Sequence, residues 1–256
     1  MITPYFKLAN PAATILETGE VHLWRYRFGH DTASAVDDSK VLNKTERDRS
    51  ERVADPGRRS RIIESRVVLR YLLAGYLSLL PFAVKIQKGK LGRPELSLRH
   101  NKTELSFNLS HSGDLMVLAV VRGSKVGVDI EQLKSRSGLD KLARRVFSRS
   151  EQDLLAATGE AGYLAAFFQG WTRKEALLKG AGAGVFRQAK ETEVSLADVY
   201  RPQIYKYQGS RERARERCLL NFQPLDGAVG AIALSAGNWR VRYFAFADSV
   251  FKDKVN

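Results

Sequence analysis

The order in which strand-like and helix-like segments follow one another constrains this chain most. Residues 21–30 (VHLWRYRFGH) alternate apolar and polar side chains, the pattern of a half-buried strand. The polar stretch 43–55 reads as a charged helix that Asn43 or Thr45 caps. Asp55-Pro56-Gly57 reads as a turn. A long helix is predicted from about Ser60 to Leu80, with Ile62, Ile63, Val67, Leu69, Leu73 and Leu77 for a core and Pro81 as its stop. Short strands follow (AVKIQ, ELSFNLS, LMVLAVV, KVGVDIE), separated by turns. Helices are then predicted over Ser135–Val146, Ser148–Thr158 and about Tyr163–Gly180. From Val194 onward the pieces SLADVY, QIYKY, LLNFQP, GAIALSA and RVRYFAF read as strands. This order predicts an α+β fold of two halves, 1–123 and 124–256, meeting near residues 122–126.

With 256 residues the chain can build one large domain or two small ones. Its single cysteine, Cys218, excludes an internal disulfide, and its neighbours do not suggest an activated thiolate. No apolar run reaches the roughly 18–20 residues of a membrane span. The opening residues lack a basic stretch followed by an apolar one. The expectation is a soluble, cytoplasmic protein with no membrane partner. A formal charge of +14 fits a polyanionic partner: nucleic acid, membrane surface, phosphorylated ligand or acidic protein. It fits a merely soluble basic surface as well. The arginine-rich stretch 44–70 motivates a nucleic-acid reading, but there is no RNP aromatic signature, zinc-finger spacing or basic zipper.

Three segments carry chemistry. In Gly127-Val128-Asp129-Ile130-Glu131 the two acids are two apart, so a strand puts them on one face. Paired carboxylates suit a hard divalent ion shared with substrate phosphates, although a lone D-x-E is more often a solvated strand end. In Trp171-Thr172-Arg173-Lys174-Glu175-Ala176-Leu177-Leu178-Lys179, a helix sets Glu175 and Lys179 on one face. They form either a surface ion pair or ligand-directed groups beside the apolar body of Phe167, Phe168 and Trp171. In Phe107-Asn108-Leu109-Ser110-His111-Ser112, amides and hydroxyls alternate with apolar residues. His111 can donate to phosphate or carry a proton, or be purely structural. No G-x-S-x-G elbow surrounds Ser110 or Ser112, which argues against a catalytic triad.

Together these segments resemble the Sfp-type 4'-phosphopantetheinyl transferases. The resemblance rests on GVDIE (127–131), WTRKEALLK (171–179), FNLSHS (107–112), Gly92-Arg93-Pro94 and Phe147-Ser148-Arg149-Ser150-Glu151, in the family's order. It implies two similar α/β halves in a pseudo-twofold arrangement, hence a monomer. It implies transfer of the phosphopantetheine arm of coenzyme A to a serine of an apo carrier protein, releasing 3',5'-ADP. It assigns magnesium, or manganese, to Asp129, Glu131 and Glu175. It has Lys179 contact a phosphate or protonate the departing 3',5'-ADP, and places His111 on the nucleotide phosphates with Asn108 and Ser110 shaping its loop. Arg93, with Lys88 and Lys90, would hold the adenine or the 3'-phosphate, and Arg61 would contact the nucleotide. Arg61 and Arg70 are nine apart, on opposite helix faces, so Arg61 is preferred. Glu151 takes the general-base position, but it also follows Ser148 by three, as in a capping box. Carrier proteins are acidic in the family's biology, which gives the basic charge a use.

Overall fold

The computed structural model describes residues 4–29, 40–89, 92–97, 101, 103–135, 137–182 and 188–246. Strand β1 (Lys7–Ala9) precedes β2 (Glu20–Arg27). Helix α1 (Lys44–Glu51) begins in a capping box: Asn43 accepts from the Glu46 amide, and Glu46 accepts from the Asn43 amide. Helix α2 (Pro56–Leu77) starts four residues earlier than expected. The Asp55-Pro56 pair read as a turn is its cap and first residue, since Pro56 needs no amide partner there. Two short strands, β3 (Ile86–Lys88) and β4 (Pro94–Leu96), pair antiparallel. They lead into β5 (Leu105–Ser112) and β6 (Leu115–Arg122).

The second half repeats this order. Strand β7 (Gly127–Gln132) is followed by α3 (Leu139–Val146), α4 (Arg149–Ala157) and α5 (Gly159–Ala181). Helix α3 starts later than predicted because Gly138 enters it with a φ of 85°. Next come β8 (Glu193–Val194), β9 (Ile204–Lys206), α6 (Arg211–Arg215), β10 (Arg217–Phe222), β11 (Ala228–Ser235) and β12 (Arg240–Phe246). The expected strand over SLADVY does not form. Buried Arg173 donates to the carbonyls of Ser195 and Ala197, and Asn221 donates to that of Val199. Side chains thus take carbonyls that a ladder would have used.

The two halves share a topology. In the first sheet β2, β6 and β5 are neighbours in that order, all antiparallel; in the second, β7, β11 and β10 are arranged alike. The last strand crosses back. β12 lies parallel between β1 and β2, so the spatial division does not follow one cut in the chain.

Strand β6 shows how the layers stack. Its Met116, Leu118 and Val120 pack with Trp24 and Tyr26 of β2 and with the buried residues Val67–Ala74 of α2. Its alternate residues Leu115, Val117, Ala119 and Val121 pack against Val128 and Ile130 of β7 and Ile232 of β11. Helix α5 covers the other face of the second sheet, with Ala176 and Leu177 against Ala231 and Ala233. The layers therefore run helix, sheet, sheet, helix. Strand β2 is buried on both faces rather than half-buried, because the second sheet covers what would have been its wet side. Among the described residues no helix is long and apolar enough to cross a membrane.

Helix α5 approaches β7 so closely that a side chain has no room between them. A Cβ at Gly127 would lie 2.0 Å from the Ala176 carbonyl oxygen and 2.4 Å from the Gly180 nitrogen, both main chain. Gly127→Ala is therefore expected to lower stability by about 1–3 kcal/mol through overpacking. Urea unfolding checks this, and an unchanged midpoint would show that the helix can retreat at no cost.

Candidate active site

Strands β5 and β7 are edges of different sheets, and side chains rather than a ladder join them. Asn108 accepts from the Val128 amide at 2.8 Å, and Ser110 donates to Asp129 Oδ1 at 2.7 Å. Ser112 donates to Glu131 Oε2 at 2.8 Å and accepts from the Gln132 amide at 3.1 Å. The alternation of polar residues along β5 is thus the seam between the two halves, with every second side chain facing the neighbouring strand.

Helix α5 brings the third wall. Trp171, Glu175 and Lys179 are four apart and share a face. Trp171 Nε1 donates to Glu131 Oε1 at 3.2 Å. Lys179 Nζ reaches Asp129 Oδ1 at 2.7 Å and Ser110 Oγ at 3.1 Å. Asp129, Glu131, Glu175, Lys179, His111 and Trp171 line one cavity of about 320 Å³. A second, of about 300 Å³, shares Leu109 and Lys179 with it and is bordered by Arg66, Arg93, Phe107 and Asn108. An acidic chamber and a chamber with basic walls thus meet at Lys179.

The acids are under strain in this setting. Burial pushes the Glu175 carboxyl up to about 8, and the nearby Asp129 and Glu131 add to the rise while Lys179 opposes it. Burial likewise raises Asp129, against the pull of Lys179 and Ser110. Burial and the Lys179 charge hold His111 below its usual value, which favours the neutral imidazole at pH 7. Asp129 Oδ2 is buried and makes no hydrogen bond. A set of carboxylate oxygens with one left unpaired suits a hard cation. As they stand, no three acidic, imidazole or thiol groups among the described residues are gathered closely enough to ligate one ion. Asp129 is turned toward Lys179, and Glu131 toward Ser112 and Trp171.

The other expected residues are placed differently. Arg61 is exposed and donates to the Gly113 carbonyl at 3.3 Å. Arg70 is buried, paired with Glu46 at 2.8 Å and bonded to the carbonyls of Pro81 and Val84. The nine-residue spacing indeed separates the two. Arg66, which sequence reasoning passed over, is the α2 arginine that borders the second cavity. Lys88 is exposed at the end of β3, and Lys90 lies outside the described residues. Arg93 bonds main-chain carbonyls. Cys218 is half-buried, and burial pushes its thiol up, away from a reactive thiolate.

Glu151 does not border the acidic cavity. It is 2% exposed and bonded on both oxygens. Oε2 accepts from Lys174 Nζ at 2.6 Å and from the Ser148 amide at 2.8 Å, and Oε1 from the Val194 amide at 2.9 Å. Two motif residues, Glu151 and Lys174, are thus each other's partners, a pairing that sequence spacing gave no means to see.

Two family descriptions match the chain: 4'-phosphopantetheinyl transferase, N-terminal, over residues 15–122, and the 4'-phosphopantetheinyl transferase superfamily over 125–233. The 4'-phosphopantetheinyl transferase HetI of Nostoc sp. is 32% identical over 239 residues, 93% of this chain and 98% of that protein. AcpT of Salmonella typhi, also a 4'-phosphopantetheinyl transferase, is 41% identical over 118 residues, 46% of this chain and 58% of AcpT. The mouse L-aminoadipate-semialdehyde dehydrogenase-phosphopantetheinyl transferase is 28% identical over 154 residues, 56% of this chain and 50% of that protein. The chain therefore belongs to the 4'-phosphopantetheinyl transferase family.

Removing one partner of a buried ion pair strands the other charge. Glu151→Gln is expected to cost about 3 kcal/mol of stability in urea unfolding, with most turnover retained by the protein that stays folded. A large loss of turnover at unchanged stability would instead return Glu151 to the role of base.

Proposed function

We infer that this chain moves the 4'-phosphopantetheine arm of coenzyme A onto a serine of an apo carrier protein and releases 3',5'-ADP. The observation that carries this reading is the meeting of Asp129, Glu131 and Glu175 with Lys179 in one cavity, beside a second cavity bordered by Arg66. In the proposed reaction the serine oxygen attacks the β-phosphorus of coenzyme A. The bond from that phosphorus to the bridging oxygen breaks, and 3',5'-ADP departs with the electron pair.

Magnesium, or manganese in its place, is assigned to Asp129, Glu131 and Glu175, where a bound ion would neutralise charge on the pyrophosphate oxygens. Lys179 holds a phosphate oxygen or steadies the departing nucleotide, and Arg66 and Asn108 face the nucleotide side. Burial of both Glu151 oxygens supports its capping role over the base role. Glu175 is taken up by the ion in this assignment, so the serine proton passes to the neutral imidazole of His111, which borders the same cavity. The +14 charge favours encounter with acidic carriers, an attraction that weakens with salt. A cytoplasmic monomer is part of the same proposal.

The expected product is a carrier heavier by one phosphopantetheine arm after incubation with coenzyme A and magnesium. Glu175→Ala should stay folded and lose about 10²–10³-fold in rate, the scale of one electrostatic contributor. Transfer at the wild-type rate would overturn the assignment of Glu175.

The raised Glu175 carboxyl adds a pH signature. Held at about 8, it is mostly protonated at pH 7 when no ion is bound. An ion that needs the carboxylate must displace that proton. Calorimetry in buffers of different ionisation enthalpy should show about one proton released per magnesium at pH 7 and almost none well above pH 8. Heat independent of buffer at pH 7 would contradict the ligand role.

A further inference from the structure

We propose that Arg93 is a positioning residue: its guanidinium sets the Lys179 ammonium against Asp129 by gathering the main chains of three elements. Nη1 donates to the carbonyls of Lys179 at 2.8 Å and Gly180 at 3.3 Å, in the last turn of α5. Nη2 donates to Phe107 of β5 at 2.7 Å and to Val126, just before β7, at 2.7 Å. Those three segments each supply one member of the cluster in the site. Lys179 carries one of the bonded carbonyls itself. Ser110 lies three residues beyond Phe107, and Asp129 three beyond Val126.

The chemistry of the fork explains why an arginine stands here. A helix C-terminus leaves its last carbonyls without intrahelical partners, and it attracts positive charge. The Gly182 amide already serves the carbonyls of Leu178 and Lys179. Arg93 adds donors to Lys179 and Gly180 and spends the other arm of its planar guanidinium on two strands. A lysine ammonium gathers its three donors at one point on a flexible stem, so it does not reproduce the two-armed span of the guanidinium.

Its flanking residues hold the arginine in place. Gly92 has a φ of 80°, a conformation that favours glycine. Pro94 fixes the next backbone angle at the start of β4, and the Gly89 amide bonds the Arg93 carbonyl at 2.7 Å. Gly92-Arg93-Pro94 is thus a bracket for one side chain whose end groups serve the protein's own backbone.

The proposal rests on the transfer reading, and its test separates the two. Arg93→Lys, Lys179→Ala and the double variant are assayed for carrier modification at varied coenzyme A. A misplaced Lys179 is expected to lower kcat by about 10–100-fold with KM for coenzyme A within about threefold. In the Lys179→Ala background, Arg93→Lys should then add little, because the two act as one unit. A raised KM at unchanged kcat would make Arg93 a ligand contact and overturn the proposal, as would losses that multiply in the double variant. Pro94→Gly keeps the guanidinium and loosens the chain that carries it. It should show the same kcat-selective loss at smaller size, and an unaffected kcat counts against the clamp even if Arg93→Lys does not fold. If the wild-type chain transfers nothing, the function fails but the clamp is still decided, by crystal structures of wild type and Pro94→Gly. A Lys179–Asp129 contact loosened in the variant supports it, and an unchanged contact overturns it.

Discussion

The Lys179 ammonium meets the Asp129 carboxylate at 2.7 Å, joining the last turn of a helix to the middle of an edge strand. Burial weakens the charged form of Asp129, and attraction to Lys179 offsets only part of that. Such a pair is a poor source of folding free energy, since desolvation cancels much of what the attraction supplies. In the proposed reaction its value lies in holding a cation and an anion ready for a ligand that carries phosphate and metal together. The surrounding structure is arranged around that contact. Gly127 lets α5 come close to β7, and Ser110 bonds both members of the pair.

The placement of the site follows from the doubled topology. Each half forms a three-strand antiparallel unit in which the first strand pairs with the last, leaving β5 and β7 as facing edges. Edges carry unpaired main-chain groups and tend to invite association. Here polar side chains of β5 close the gap instead, and they include residues that touch the acids. The proposed site lies at the seam, where side chains of both halves and of α5 converge.

Much of this was legible in the sequence. The strands β2 and β6 and the two long helices are legible from their residue patterns, although the alternation of β2 predicts one wet face. The acids of β7 and the Glu175–Lys179 pair follow from strand and helix spacing. Other features depend on contacts between distant segments, which no local pattern encodes. Double burial of β2 needs the second sheet on its far side. The loss of a strand over SLADVY needs Arg173 and Asn221 to claim its carbonyls. Arg66 was hidden among many arginines of α2, since spacing separates faces but does not say which face meets a cavity.

Crystals grown with coenzyme A and manganese, and read by anomalous scattering, test the central claim most directly. The account predicts a manganese peak between Asp129 and Glu175, with the nucleotide in the adjoining chamber bordered by Arg66 and the Lys179 ammonium drawn from Asp129 toward a phosphate oxygen. Coenzyme A bound elsewhere, with the Lys179–Asp129 pair intact and no metal beside it, would contradict it.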